Sequence, residues 1–502
     1  MRNNFEKVIR RTRGVILIQT LVFATIAVMI IGGLVSWAGT NIKVSKSNLN
    51  RERAFQIAEA GIEYYRWHLA HANADFQDGT GAAGPYVHNF TDRDGNVIGQ
   101  FTLTITPPPT GSTKVTIQSV GNTIEQPTKT RMITAQLAIP SLAKYAVVAN
   151  ANMRFGAGTE VFGPIHSNGG IRFDGLAHNT ITSALSTYDD PDHSGGSEFG
   201  VHTHADLPPH VAPNIPPDSD FTDSFRSAEA PPSTMSARAD IFLSGRQVGV
   251  PAVDFAGITT NLSTIKTNAQ SAGKYYAASG GLGYYILLKT NDTFDIYRVN
   301  SLTTGNGQCN NSQTQALGQT GWGTWSINTK SLVAAAVPFP ANGLVFVEDN
   351  LWIDGQINGA RLTIAAGKLP DVVATRKSII INSNLLYTDY TGLDALALIA
   401  QSNINAGLSS LATQRIDGAL IAQNGRVGRY YYNSNCGSGY LRTEMTLYGM
   451  IGTNQRYGFA YGSVSSGYQD RNIIYDSNLL YAPPPSFPLT SNQYSIVSWK
   501  EE

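Results

Sequence analysis

From Gly14 to Ile42 the chain runs without a charged residue, and Lys43 is the first to break it. That exceeds the ~20 apolar residues a helix needs to cross a bilayer, so the stretch reads as a transmembrane segment and fixes how the rest must be arranged. Arg2, Lys7, Arg10, Arg11 and Arg13 crowd the short N-terminal side against a single acid, Glu6. This bias places residues 1–13 in the cytoplasm and the large remainder outside, as a single-pass protein with residues 1–14 as its basic leader. A secretory signal peptide has a shorter apolar core followed by a small-residue cleavage site, whereas here Gly14 precedes the apolar run.

Beyond the membrane the helical period continues. Phe55, Ala58, Ile62, Tyr65 and Leu69 recur at three- and four-residue steps, while Arg51, Glu52, Glu59, Glu63 and Arg66 take the other faces. One rod over 15–70 would be ~84 Å long. Glu59 and Glu63, one turn apart, read as a solvated or helix-contacting face rather than an acid–base pair. After a Gly/Asp/Ala linker, Val97 to Thr106, Lys114 to Gly121 and Lys129 to Ile139 alternate as strands, giving a small antiparallel sheet within residues 71–142.

The order basic leader, Gly14, apolar helix, followed by Arg53-Ala54-Phe55-Gln56-Ile57-Ala58-Glu59-Ala60-Gly61, resembles the type IV pilin superfamily, in particular PilX-type minor pilins and K-type pseudopilins. The resemblance covers about the first 70 residues. It implies cleavage by a prepilin peptidase between Gly14 and Val15. It also implies residence in the inner membrane before assembly, and packing against other pilins in a fibre through Gln19, Phe55, Ala58, Glu59 and Ile62. Gln19 stands where major pilins carry Glu, a departure shared with minor pilins proposed to sit at or near the fibre tip. The ending, Tyr481-Ala482-Pro483-Pro484-Pro485 and Tyr494 to Glu501, resembles that of large pilin-like proteins with solenoid ectodomains.

Residues 143–502 carry a faint repeat. Val161-Phe162-Gly163-Pro164-Ile165-His166-Ser167-Asn168 parallels Leu447-Tyr448-Gly449-Met450-Ile451-Gly452-Thr453-Asn454 and Ile416-Asp417-Gly418-Ala419-Leu420-Ile421. Short strands with Asn/Gly corners suggest stacked rungs, so the expected fold is mainly β with one long N-terminal α-helix. A transmembrane helix, a small sheet and a β-solenoid-like domain would follow one another. A β-sandwich is the competing architecture. The repeat pauses at about 186–340, read as an inserted loop/β region whose two flanks could stack directly on one another. Thr290-Asn291-Asp292 marks a hairpin there.

Removing residues 1–14 takes away five basic groups and one acid from a neutral chain, leaving about −4, so no global basic field remains for nucleic acid. Local clusters keep DNA open as a partner: Arg426, Arg429, Tyr430, Tyr431, Arg456 and Tyr457 pair cations with rings suited to stacking on bases or to a surface ligand. The alternative is that they pack a solenoid end. Cys309 and Cys436 sit in Asn/Gly-rich loops, either bonded or as two free thiols. Six of nine histidines fall between His166 and His210, and His202-Thr203-His204 lies near Asp189, Asp190, Asp192 and Asp206. No recognised ligand spacing is present, so loop polarity is favoured and no metal or cofactor is expected. His166 and Asn168 are expected to bond a solenoid corner. No hydrolase elbow, phosphate loop or metalloprotease helix occurs. The expected role is a non-enzymatic minor pilin-like subunit in assembly priming or tip adhesion, at the cell surface after assembly. A DNA-binding tip subunit is one alternative. The other is an anchored glycan-active enzyme using carboxylates such as Asp349, Asp354, Asp371 and Asp417.

Overall fold

The computed structural model describes residues 3–192, 196–205, 229–255, 261–303, 309, 323–461 and 465–502, with side chains from residue 15 onward except at 261. One continuous helix spans Asn3–His71. Its stretch from Val15 is long and apolar enough to cross a membrane, and the most apolar window is entirely exposed.

The chain divides into two compact units. The first comprises Met1–Pro107, Val115–Ala138 and Gln493–Glu502. Here the helix changes character: Ala54, Ile57, Ala58, Ile62, Tyr65 and Leu69 are buried, and they pack with Phe101, Leu103, Val115, Ile117, Ile133 and Leu137. Those partners come from an antiparallel sheet ordered Tyr86–Thr91, Val97–Thr106, Val115–Thr123, Arg131–Ala138 and Ser495–Glu501. Strict alternation of buried and half-buried residues along Val115–Thr123 puts one face on the helix, as a period of two requires. The last strand corrects the domain boundary expected at 143–502. The chain leaves this sheet after Ala138 and returns to it at Ser495, so the large domain is an insertion within the small one.

The second unit, Pro108–Lys114 with Ile139–Asn492, is a parallel β-solenoid. One face stacks, each strand parallel to the next, in the order Lys274–Tyr276, Leu344–Val347, Arg361–Ala366, Ala395–Ala400, Thr413–Ala422, Leu441–Thr453, Val147–Ala149, Ile165–Ser167, Ile181–Ser183 and Arg246–Val248. The register places Val345, Ile364, Leu398, Leu420, Ile451, Val147, Ile165 and Ile181 in one unbroken column, all buried. Parallel ladders of this kind exclude the sandwich, whose sheets are antiparallel. A second edge aligns Ile416, Leu447, Ile473 and Val161 in successive rungs, which is the repeat visible in the sequence. The helix Asn261–Ala272 covers the outer face with Leu262, Ile265 and Ala269 against Phe346, Ala365 and Ile399.

Corner asparagines form a ladder. Asn150 Nδ2 donates to Asn454 Oδ1 (2.8 Å), and Asn168 Nδ2 donates to Asn150 Oδ1 (2.9 Å). His166 joins this corner, with Nε2 3.1 Å from Asn168 Oδ1 and Nδ1 2.9 Å from Thr182 Oγ1.

The rung order overturns the expectation that the flanks of 186–340 stack on one another. Ile181–Ser183 and Leu344–Val347 lie toward opposite ends of the column, separated by every rung from Ile165–Ser167 to Arg361–Ala366. The intervening region itself supplies the terminal rungs, Arg246–Val248 at one end and Lys274–Tyr276 at the other. It also supplies the hairpin Gly283–Lys289/Thr293–Leu302, whose turn has Asp292 at φ 59°.

Candidate functional site

The helix residues expected to face a fibre divide sharply. Gln19 lies in the exposed apolar half and Glu59 is solvated, whereas Ala58 and Ile62 are core residues of the first unit. Phe55 is half-buried against Trp499, with ring centroids 6.0 Å apart. A Cβ on Gly121 would meet the Ala58 nitrogen at 2.5 Å, so small residues at 54 and 58 seat the helix directly on its sheet. This part of the pilin-like motif is a helix–sheet packing device, which corrects the assignment of Ala58 and Ile62 to an intersubunit seam. Val15 is exposed, and Gly14 lies outside the residues whose side chains are described.

Most of the aromatic-basic cluster is interior, contrary to a surface that stacks on bases: Arg426, Arg429, Tyr430 and Tyr457 are buried, Tyr431 is half-buried, and the Arg456 side chain is 40% exposed. Arg429 is fully buried, and its guanidinium donates to the carbonyls of Tyr440 (3.1 Å) and Gly439 (2.5 Å). Burial lowers its pKa to about 10. Arg426 donates to the Arg429 carbonyl (3.0 Å) and to Tyr461 Oη (2.9 Å). Tyr430 stacks on Trp325 at 5.8 Å, Tyr457 stacks on Phe155 at 5.2 Å, and Tyr431 meets Tyr461 edge-on at 5.3 Å. The sequence pattern of cations and rings recurs because buried arginines need carbonyl and π partners. Cys309 and Cys436 form a disulfide beside this cluster, packed with Leu408, Tyr430 and Tyr432.

The carboxylates named for glycan chemistry are each held by neighbours. Asp417 accepts from Tyr387 N (3.0 Å), Tyr390 Oη (2.7 Å) and Arg415 Nε (2.8 Å). Asp349 accepts from Ser279 and Lys377, and Asp371 from Arg376. Asp354 accepts from Tyr285 Oη (2.7 Å), and burial raises its pKa.

The site the structure assembles lies in the first half of the 186–340 region. Val201–His202 pairs in parallel with Ile171–Phe173, and the extended chain through Thr203 sends His202 and His204 to one side. Two buried carboxylates clamp that backbone. Glu229 Oε2 accepts from Thr203 N (3.2 Å), and Asp174 Oδ1 accepts from His204 N (2.8 Å). Each carboxylate is itself paired: Glu229 with Arg246 (2.5 and 3.0 Å), and Asp174 with Arg172 (2.7 Å). Opposite, the turn after Thr187–Tyr188 directs Asp190 inward while Asp189 faces solvent. Asp192 is fixed by both guanidinium nitrogens of Arg456 (2.9 and 2.5 Å), so Arg456 serves as an anchor here. Asp190 Oδ1 accepts from Asp192 N (3.0 Å). Its Oδ2 lies 3.4 Å from His202 Nε2 and 3.9 Å from His204 Nε2.

All three side chains are buried, and their ligand-capable atoms fall within 4.8 Å of one another. Burial pushes the Asp190 carboxyl up. His202, the Asp192 N–H and Arg172 outweigh it and hold the group well below the usual carboxylate range, so it is ionised. Among the described residues this is the one group of at least three His, Cys, Asp or Glu so arranged. His193, Asp206 and His210, also singled out in the sequence, lie outside the described residues. His202 and His204 stand two apart in the sequence, which by itself matches no recognised ligand spacing. Nothing local distinguished Asp190 from Asp189 and Asp192, or marked Asp174 and Glu229 as clamps.

No protein-family model matches the chain. No curated protein matches it. Among solved structures it is similar to the competence-associated pilin ComZ from Thermus thermophilus, at 14% identity and a TM-score of 0.30, with 90% of this chain and 97% of that chain covered. A score at that level establishes no common fold.

Proposed function

We propose that the chain is a minor pilin-like structural subunit of a type IV pilus or related fibre, non-enzymatic, with its solenoid serving assembly priming or tip-located adhesion. One observation carries the reading. A single helix is exposed and predominantly apolar from Val15 to Ile42 and seated on a small antiparallel sheet from Ala54 to Leu69. An exposed apolar half-helix requires a lipid or protein partner, and the inner membrane followed by neighbouring pilin helices supplies both. Prepilin peptidase would cut between Gly14 and Val15, and Gln19 would stand at position five of the mature chain. The DNA reading is weakened, because Arg426, Arg429, Tyr430 and Tyr457 are buried and Arg456 is paired with Asp192. The tied carboxylates speak likewise against a glycan-active site. Co-expression with a prepilin peptidase is expected to yield a mature chain beginning at Val15 that appears in sheared fibres, with Gly14→Val remaining full length and cell-bound. Identical migration of the two forms would refute the processing step, and absence of the processed chain from fibres would refute the role.

A further inference from the structure

We propose that Asp190, His202 and His204 form a divalent transition-metal site, of the zinc class, that pins the turn at residues 188–192 to the edge of the solenoid. Tetrahedral zinc with bonds of about 2.0–2.2 Å sets neighbouring ligand atoms about 3.3–3.5 Å apart. The His202 Nε2 to Asp190 Oδ2 spacing is 3.4 Å, and the corresponding His204 spacing is 3.9 Å, a small side-chain rotation away.

The chain provides its own comparison. His88 and Asp78 (2.7 Å), His178 and Glu160 (2.7 Å), and His68 and Asp75 (3.0 Å) sit at direct hydrogen-bonding distance. At Asp190 the spacing is wider, 3.4 and 3.9 Å, and the ligand-capable atoms of all three residues lie within 4.8 Å of one another. Two imidazoles and one carboxylate match zinc by ligand type, whereas calcium or magnesium would demand oxygen donors. A fourth position remains for a water or another donor.

The surroundings are built to hold ligands in place. Glu229 and Asp174 fix the Thr203 and His204 amides between and beside the two histidines, the His202 ring packs on Tyr188 (centroids 5.4 Å), and the Asp190 turn is anchored through Asp192 to Arg456. Such outer-shell supports orient metal ligands and carry much of a site's affinity. Asp190 and the histidines come from separate segments, so a bound ion would tie the turn after Thr187–Tyr188 to Val201–His202 and stabilise that pairing.

The test uses the full chain in detergent, carrying no polyhistidine tag, stripped with a chelator and titrated with Zn²⁺ at pH 7. One tightly bound equivalent is expected. Co²⁺ in its place should give the intense visible bands of a four-coordinate ion. His202→Gln and His204→Gln should each weaken Zn²⁺ binding at least ~100-fold while the far-ultraviolet circular dichroism is retained; Asp190→Asn, close in size, should do the same. No saturable uptake by the wild-type chain overturns the site without reference to any variant. So does uptake unchanged in both histidine variants, or a six-coordinate Co²⁺ spectrum.

Discussion

A Cβ built on Gly121 would stand 2.1 Å from the carbonyl oxygen of Ala54, because helix and strand here touch backbone to backbone. Gly121→Val therefore cannot be accommodated by a side-chain rotation. It is expected to destabilise the first unit by about 3 kcal/mol or more, since the whole helix must lift from the sheet. Thermal unfolding in detergent, with the exposed Glu59→Ala as control, checks this; equal melting of the two variants would show that the helix is not seated there.

How much of this arrangement is legible in the sequence depends on the range of the interaction. Helical spacing from Phe55 to Leu69 and alternation along Val97–Thr106 are local signals, and both elements form where that spacing predicts. The repeat through Ile416, Leu447 and Val161 was visible because each rung must offer the same inward residue to its column. The rung order was not, because Leu441–Thr453 pairs with Val147–Ala149 through contacts that leave no mark on either segment. The return of Ser495–Glu501 to Arg131–Ala138 is hidden for the same reason. At the histidine site, the i, i+2 spacing of His202 and His204 is local, while the selection of Asp190 over Asp189 rests on a turn that only packing decides.

His166 gives the solenoid an acid sensitivity. Its ring is 1% exposed, and burial, aided by the charge of Lys144 and opposed by the Asn168 bond, depresses its pKa below 6.5. As pH falls through 6.5 the unfolded chain takes up the proton first, so stability declines until the folded value is passed. Above 6.5 the contribution is fully present. Carboxylates such as Asp349 and Glu348, lowered from 3.8 and 4.5, act in a more acidic window. The melting temperature of the wild type should therefore drop more between pH 7.5 and pH 5 than that of His166→Gln; parallel curves would place the sensitivity elsewhere.

The disulfide between Cys309 and Cys436 closes a loop with a sequence separation of 127. Chain-entropy reasoning assigns such a loop up to about 5 kcal/mol, so reduction is expected to lower the unfolding midpoint markedly. Loss should begin around Leu408, Tyr430 and Tyr432, which pack against the bridge. The double variant Cys309→Ser/Cys436→Ser should melt low with or without reductant. A wild type whose midpoint ignores reductant would mean the bond contributes nothing to stability.

Removing the region Ser186 to Pro340 and joining its flanks with a short Gly/Ser bridge should destroy the solenoid rather than shorten it. Ile181–Ser183 and Leu344–Val347 are separated along the stack by Ile165–Ser167, Val147–Ala149, Leu441–Thr453, Thr413–Ala422, Ala395–Ala400 and Arg361–Ala366. At ~4.8 Å per strand the gap is on the order of 34 Å, beyond the typical reach of a few flexible residues. The deletion also removes Arg246–Val248 and Lys274–Tyr276, baring both ends of the stack, and unpaired terminal rungs invite aggregation. The shortened chain is therefore expected in aggregates or degraded, with no cooperative melting. Replacing only the hairpin turn Thr290-Asn291-Asp292 by Gly-Asn-Gly should leave melting within about 1 kcal/mol of wild type, because the rungs beneath it are untouched. Cooperative unfolding of the deletion variant near the wild-type temperature would mean that the two flanks can stack directly, which is incompatible with Ile181–Ser183 and Leu344–Val347 lying toward opposite ends of the column.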